Sequence, residues 1–439
     1  MESVFIKSSL LEQVLAQYRS GLVIGPLHVK QRCGFQHTLD NLLCRPKKPN
    51  PLIQSFAMLA IAAYIADKGY ARTDSEDSWT RELFLSIPID KEFVGALPLL
   101  TETLRFLSGD SWSIVPRVKR VNIAARTYFT DKFIADAVCL FSGGTDSLTG
   151  AINLLEDGGS IILVSHFESG VDAGVQNHLA NLLKKRYGSK RLRHRSIKVS
   201  SPLSEEKSTR ARSFLFIALA LMTASAFNDK TPVFIPENGF IGMNVPLTGS
   251  RQGSFSTRTT HPAYLFNINK ALHALSLRHE IINPFYKLSK GEILQACKNP
   301  ELLKKLLPLT LSCAKAGWVR WERHTPGKNC GFCFPCLVRR SAFHAIGVDN
   351  PNDYAHDAIG SAEILSSDQK GSDLRCLLQA TSRYVRSNRS LIFDLLKTGS
   401  LSSIEEPADL IHPIESGLKD ILTLVAAKGC AEIKRYAFK

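Results

Sequence analysis

The stretch "AVCLFSGGTDSLTGAINLLEDGG", residues 137 to 159, decides the fold. An apolar run stops at Ser142. Two glycines, a threonine, an aspartate and a serine follow, and then a helical pattern begins. A buried strand that ends in small polar residues at the mouth of a helix builds an anion site. Gly143 and Gly144 let the backbone pass close to phosphate oxygens and adopt positive φ. The helix that follows opens with unpaired N–H groups and the positive end of its dipole. Ser142, Thr145 and Ser147 add hydroxyl donors. Asp146 would repel a phosphate, so it needs a reason: it caps the helix, or it helps hold a magnesium ion shared with the phosphates. No Gly-Lys-Ser/Thr follows, which excludes a Walker A loop, and the spacing is not G-x-G-x-x-G.

Outward from this turn, residues 131–349 alternate strand and helix. "DAVCLF", "SIILVSHF", "RHRSIKVS" and "PVFIPENG" read as strands. "SLTGAINLLED", "DAGVQNHLANLLKKRYG" and "STRARSFLFIALALMTASAF" read as helices. The alternation predicts an α/β domain whose parallel sheet carries helices on both faces. Residues 1–130 mix strand-like runs ("SVFIKS", "ELFLSIPI") with an apolar helix ("LIQSFAMLAIAAYIADKG") and predict an α+β extension without a catalytic motif. Residues 350–439 predict a helical extension, from "SDLRCLLQATSRYVRS" and "ADLIHPIESGLKDILTLVAAKG".

The formal net charge of +15 suits an anionic ligand (a nucleotide, a nucleic acid or an acidic partner) and equally serves solubility. "FLFIALALMTASAF" at 214–227 is shorter than the ~20 apolar residues that span a bilayer and reads as a buried helix, so no membrane partner is expected. Met1-Glu2 does not open a signal-type segment. Ten cysteines without a secretion signal set the expectation of a reducing cytoplasm, and of metal or catalytic use rather than disulfides. Cys33, Cys44, Cys139, Cys297, Cys376 and Cys430 are scattered and read as buried thiols.

The other four lie in "LSCAKAGWVRWERHTPGKNCGFCFPCLVRR": Cys313, Cys330, Cys333 and Cys336. Four thiolates suit tetrahedral Zn2+, and Gly331 permits the tight turn between ligands. Close C-x-x-C-x-x-C runs also ligate iron–sulfur clusters, and simple burial is a third reading. His324 reads as a loop residue rather than a ligand.

"SGGTDS" matches the S-G-G-x-D-S signature of the PP-loop ATP pyrophosphatases. Together with "LSKGEI" at 288–293 and the "SC…CGFCFPCLVRR" run, it resembles the QueC family, the 7-cyano-7-deazaguanine synthases. The resemblance implies the adenine-nucleotide alpha-hydrolase-like fold. It implies ATP and Mg2+ at Ser142, Gly143, Gly144, Thr145, Asp146 and Ser147, and structural zinc at the four cysteines. Lys290 takes the lysine position of the L-[ST]-K-x-E-I segment. Arg210 and Arg212 fall in the family's basic segment before the third helix, and Arg339 follows the last cysteine at the family spacing. The implied chemistry activates a 7-deazaguanine carboxylate as an acyl adenylate, adds ammonia, and dehydrates the amide to a nitrile with a second ATP.

The chain departs from that family in length, with about 130 residues before the PP-loop and about 90 after the cysteines. It also carries "ENGFIGMNVPLTGSRQGSFSTRTTHPAY" at 237–264 in place of an aspartate-containing purine-site stretch. Both features resemble the QatC-type group of the bacterial Qat anti-phage system and its type IV CBASS relatives. There the resemblance implies attachment of a deazaguanine to a protein partner from the same defence operon. Glu237 and Asn238 end a strand at the carboxyl edge of the sheet, where ligands bind. Arg251, Arg258 and His261 are candidates to meet a phosphate or carboxylate, or they form a capped surface loop. A nucleic-acid-modifying enzyme and a non-catalytic nucleotide sensor are the competing readings.

Overall fold

The computed structural model describes residues 2–42, 50–123, 133–168, 170–248, 258–322, 328–386, 389–399, 401 and 407–438. His324 and Arg251 therefore lie outside the described residues, as does Cys44.

Two all-parallel sheets organise the chain. The first orders β2 (Leu22–Ile24), β1 (Glu2–Ile6), β3 (Glu82–Ile89) and β4 (Ser111–Val118) as β2-β1-β3-β4. The second orders β7 (Leu192–Lys198), β6 (Ile161–Phe167), β5 (Ala137–Leu140), β8 (Val233–Phe234) and β9 (Ile281–Ile282) as β7-β6-β5-β8-β9. The helices used below are α1 (Pro51–Gly69), α2 (Leu97–Ser108), α3 (Thr145–Glu156), α4 (Gly170–Tyr187), α5 (Arg212–Ser225), α6 (Pro262–Ala274), α7 (Lys290–Gln295), α8 (Phe334–Ala345), α9 (Ser372–Arg386) and α10 (Pro407–Lys428).

Parallel strands need cover on both faces, and β5 shows how it is supplied. Val138 and Leu140 pack with Ile162 and Val164 into the core that holds α1 and α5. Ala137, Cys139 and Phe141 pack with Ile161 and Leu163 into the core that holds α3 and α4. The expected α/β domain with helices on both faces is thus present. Helix α1 contacts β1, β3 and α5, so it lies between the two sheets. A helix apolar nearly all round is one buried all round, and residues 53–69 of α1 form an unbroken buried run. The expected buried helix at 214–227 is α5, which starts at Arg212. On the far side, α8, α9 and α10 enclose a third apolar cluster that includes Cys330, Cys333 and Cys336.

The N-terminal region is not α+β. Its four strands are all parallel, with α1 between β2 and β3 and α2 between β3 and β4. Two of the strands carry weak sequence signals. Strand β2 has three residues, and β4 contains Pro116, which an edge strand tolerates because one side of its ladder is unpaired.

Charged residues join this region to the second sheet. Arg81 Nη2 lies 2.6 Å from Asp67 Oδ1 and 2.8 Å from Asp110 Oδ2, with all three side chains fully buried. Arg72 Nη1 reaches Asp110 Oδ1 at 2.6 Å. Asp67 Oδ2 also accepts from the Ala211 N–H at 2.8 Å, at the start of α5. Burial would raise the Asp110 carboxyl, but hydrogen bonds from Arg81 and Arg72 hold it below its usual value. Its stabilising contribution is therefore present above the ordinary carboxylate range and is lost as pH falls through the depressed value. Arg81→Met leaves Asp67 and Asp110 with one cation fewer. Breaking a buried pair from one side costs about 3–5 kcal/mol, so urea unfolding is expected to show a loss of that order.

Candidate active site

The order of the second sheet locates the site. The chain runs from β5 outward through β6 to β7, then returns to the other side of β5 for β8 and β9. The winding reverses between β5 and β8, and ligands of open α/β sheets bind beyond the carboxyl ends at such a point. A cavity of about 420 Å³ opens there, lined among others by Ser142, Gly144, Asp146, Glu237, Lys290 and Ser312.

The turn after β5 is built as its sequence requires. Gly143 has φ +82°, which disfavours any residue with a Cβ. A Cβ on Gly144 would fall 3.1 Å from Ser312 Oγ, so the loop 311–312 approaches closely. That loop is fixed to the turn: Leu311 N donates to Gly143 O at 3.0 Å, and Thr145 N donates to Ser312 Oγ at 3.3 Å. Gly144 N donates to Ser142 Oγ, also at 3.3 Å. The Gly144 amide thus rests on a hydroxyl through a long bond that a stronger acceptor such as a phosphate oxygen can replace, while the Thr145 amide ties the turn to the 311–312 loop. Ser142 and Ser147 hydroxyls lie 3.2 Å apart.

Asp146 does not cap α3. Its Oδ1 takes Lys290 Nζ at 2.5 Å and the Thr145 hydroxyl at 3.2 Å, and its Oδ2 takes Asn238 Nδ2 at 2.7 Å and Asn238 N at 3.2 Å. Four donors fill the roughly four lone-pair sites of a carboxylate. In this arrangement a metal ion would have to compete with these four donors for the Asp146 oxygens. What it does here is hold Lys290 and Asn238 in place. Lys290 is the first residue of α7, whose N-terminus is closed by a capping box between Ser289 and Glu292. Lys290 Nζ also donates to Thr145 Oγ1 at 3.0 Å. A buried ammonium therefore stands beside the glycine turn.

Glu237 follows β8 and faces the same cavity. Its backbone is clamped by Asn283: Glu237 N donates to Asn283 Oδ1 at 3.2 Å, and Asn283 Nδ2 donates to Glu237 O at 2.9 Å. Thr259 and Thr260 hydroxyls each donate to Glu237 Oε2 at 3.3 Å. Burial, and then the Asp146 carboxylate, push the Glu237 carboxyl up to about 7 against the opposing pull of Lys290. A carboxyl poised near neutrality in a cleft has the property of an acid–base group.

The remaining expected residues divide. Arg212 lines the cavity and contacts His166. Arg210, two residues earlier, does not line it: its guanidinium donates to Ser108 O at 2.6 Å in the junction with the first sheet. Asn238 lies behind the cavity wall, where Oδ1 accepts from Ile241 N at 3.0 Å and caps the short helix Gly239–Gly242. Arg258 donates to Phe106 O at 2.9 Å and stacks over the Phe106 ring rather than facing the cavity. His261 caps α6 through Nδ1 and shares Nε2 with Thr398 at 2.9 Å. Burial and Arg258 push its imidazole down to about 3, so it is neutral at physiological pH and brings no charge to an anion. Leu311 and Ser312 were missed by sequence reasoning, although they directly precede Cys313. Gln176 on α4 was missed too. It lines the cavity and donates to His166 O at 3.2 Å, and no local motif marks it.

The four-cysteine group can hold a metal ion such as zinc: Cys313, Cys330, Cys333 and Cys336 place their sulfurs within 4.8 Å of one another. Tetrahedral Zn–S bonds of about 2.3 Å imply sulfur separations of about 3.8 Å. Cys330 and Cys336 lie at 3.7 Å, and Cys333 and Cys313 at 3.9 Å. An iron–sulfur cluster interposes several atoms and spreads its thiolates farther. Backbone N–H groups of Lys315 and Cys330 each donate to Cys313 Sγ at 3.3 Å, and Cys333 N donates to Cys330 Sγ at 3.3 Å, a pattern suited to thiolates. Gly331 has φ +89°, and a Cβ there would fall 2.1 Å from His356 O. Arg339 is fully buried and donates to Thr310 Oγ1 at 2.5 Å and Leu307 O at 2.9 Å, so it braces the segment that leads to Leu311 and Ser312.

Among the described residues, no helix is long and apolar enough to cross a membrane. Comparison of the chain with protein-family models, with curated proteins and with solved structures gave no match.

Proposed function

We propose that this chain is a QueC-like enzyme of the PP-loop fold that uses ATP to adenylate the carboxylate of a 7-deazaguanine and passes the acyl group to an amine. The amine belongs to a protein partner encoded with it in an anti-phage operon, and the reaction takes place in the cytoplasm. The observation that carries the reading is the glycine turn at the β5–β8 reversal with the buried Lys290 ammonium beside it.

The chemistry follows from those residues. A carboxylate is a poor electrophile, and attack of its oxygen on the α-phosphorus of ATP exchanges pyrophosphate for a good leaving group, AMP. The Gly144 amide and the Ser142, Thr145 and Ser147 hydroxyls are donors for phosphate oxygens. Lys290 offsets negative charge as the bond to pyrophosphate breaks. Arg212, which also lines the cavity, supplies a second cation. Mg2+ bound with the ATP phosphates would offset their charge, and zinc held by Cys313, Cys330, Cys333 and Cys336 would supply cross-linking rather than an open coordination position.

The test is incubation with ATP, Mg2+ and 7-carboxy-7-deazaguanine, with and without the operon partners. The expected products are AMP and pyrophosphate, with a mass gain on a partner. ADP and phosphate as main products overturn the adenylation reading. Free nitrile formed at full rate without partners, with no partner modified, replaces conjugation by the synthase reaction.

A further inference from the structure

Acyl transfer to an amine needs one step that the phosphate-facing groups do not supply. The attacking nitrogen must lose a proton, since an ammonium has no lone pair and the tetrahedral adduct carries positive charge until deprotonated. Ser142, Thr145 and Ser147 are poor bases. Lys290 is committed to Asp146, and the four lone-pair sites of Asp146 are filled. His166 and His261 are buried outside that role, with Val199 O and Thr398 as ring partners.

Resting on the adenylation reading, we propose that Glu237 is the proton acceptor for the amine that attacks the acyl adenylate. It lines the cavity on the β8 side, across from the glycine turn on the β5 side. The Thr259 and Thr260 hydroxyls both donate to Oε2. Its backbone is held by Asn283, and its carboxyl by the two threonine hydroxyls. In the step, the amine nitrogen forms a bond to the acyl carbon and its proton passes to a Glu237 carboxylate oxygen. The bond from the acyl carbon to the phosphate-bearing oxygen breaks, and AMP leaves with that electron pair. No oxidant or further reactant is required. The other charged groups that line the cavity are Asp146, Lys290, Arg212 and Asp172. Asp146 favours the protonated form of Glu237 and Lys290 the carboxylate. Because the carboxyl is pushed up to about 7, the base is lost below that pH and is present above it.

The experiment separates the two half-reactions. Exchange of labelled pyrophosphate into ATP, driven by 7-carboxy-7-deazaguanine, reads adenylation. Amide formation with ammonium chloride reads transfer. Glu237→Gln is expected to slow transfer by about 10²- to 10⁴-fold and exchange by far less. Exchange also reports that the variant is folded. Wild-type transfer, expressed per free ammonia so that the titration of ammonium itself is removed, is expected to rise with pH and level off above about 7, and the variant loses that inflection. Hydroxylamine, which is unprotonated at neutral pH, restores much of the variant's rate. Equal losses in exchange and transfer make Glu237 a binding residue and overturn the proposal, as does transfer that is unchanged in the variant. Absence of exchange in the wild-type protein overturns the adenylation reading, and the proposal with it.

Discussion

Lys290→Met is expected to reduce formation of AMP and pyrophosphate by at least about 10²- to 10³-fold, the effect of removing one preorganised donor to developing charge. It is also expected to destabilise the fold. Lys290 and Asp146 side chains are only 5% and 8% exposed and lie 2.5 Å apart. Removing the cation leaves a buried carboxylate held only by Thr145 and Asn238, at a cost of about 3–5 kcal/mol. The two effects separate in a second variant. Lys290→Met combined with Asp146→Asn removes both charges, so urea unfolding is expected to return most of the lost stability. Turnover stays low, because no ammonium stands beside the glycine turn. If the double variant also recovers turnover, Lys290 acts only by neutralising Asp146, and its assigned part in the reaction is wrong. Asp146→Ala alone is expected to lower activity similarly by releasing Lys290 and Asn238.

What the sequence revealed follows a physical rule. The β5–α3 turn was legible because its signals are local: an apolar run, two glycines and a helix start within twenty residues. The cysteine cluster was legible because three of its ligands share one short loop. The partners of Asp146 were not legible, since Asn238 is 92 positions away and Lys290 is 144. Only the folded sheet brings them together. Arg210 and Arg212 look alike in sequence, yet the first turns toward Ser108 and the second lines the cavity. Arg258 and His261 sit in a stretch rich in polar residues that suggested ligand contact. The fold instead packs Arg258 against Phe106 and buries His261 beside Thr398. The parallel first sheet escaped because its edge strands are short or contain proline, and a strand pattern does not encode direction.

One zinc per chain is expected by elemental analysis, and Cys330→Ser is expected to lose it and to lower stability by several kcal/mol. Structural zinc contributes apparent binding energies of about 10–16 kcal/mol in small zinc-dependent folds, and here part of that is retained by the apolar cluster around α8 and α10. Iron with sulfide, or well-folded protein without metal, overturns the assignment. The sequence alone predicts an effect on stability and little on chemistry, since a closed four-cysteine site has no open position. The structure adds a second consequence. Ser312 directly precedes Cys313, accepts from Thr145 N, and is held through its own N–H by Asn329 Oδ1 at 3.0 Å. Leu311 N holds Gly143 O. A cysteine cluster that loosens therefore also loosens the turn at the head of α3. Metal loss is expected to weaken ATP binding measured by calorimetry at temperatures where the chain remains folded. Ser312→Ala isolates that link. It keeps all four thiolates, so zinc content and unfolding are expected to stay near wild type. It deletes the acceptor of Thr145 N, a bond contributing about 0.5–1.5 kcal/mol, which corresponds to a two- to tenfold weaker affinity if the link organises the site. Unchanged affinity in Ser312→Ala, with a large loss in Cys330→Ser, places the effect of the metal in global stability rather than in this contact.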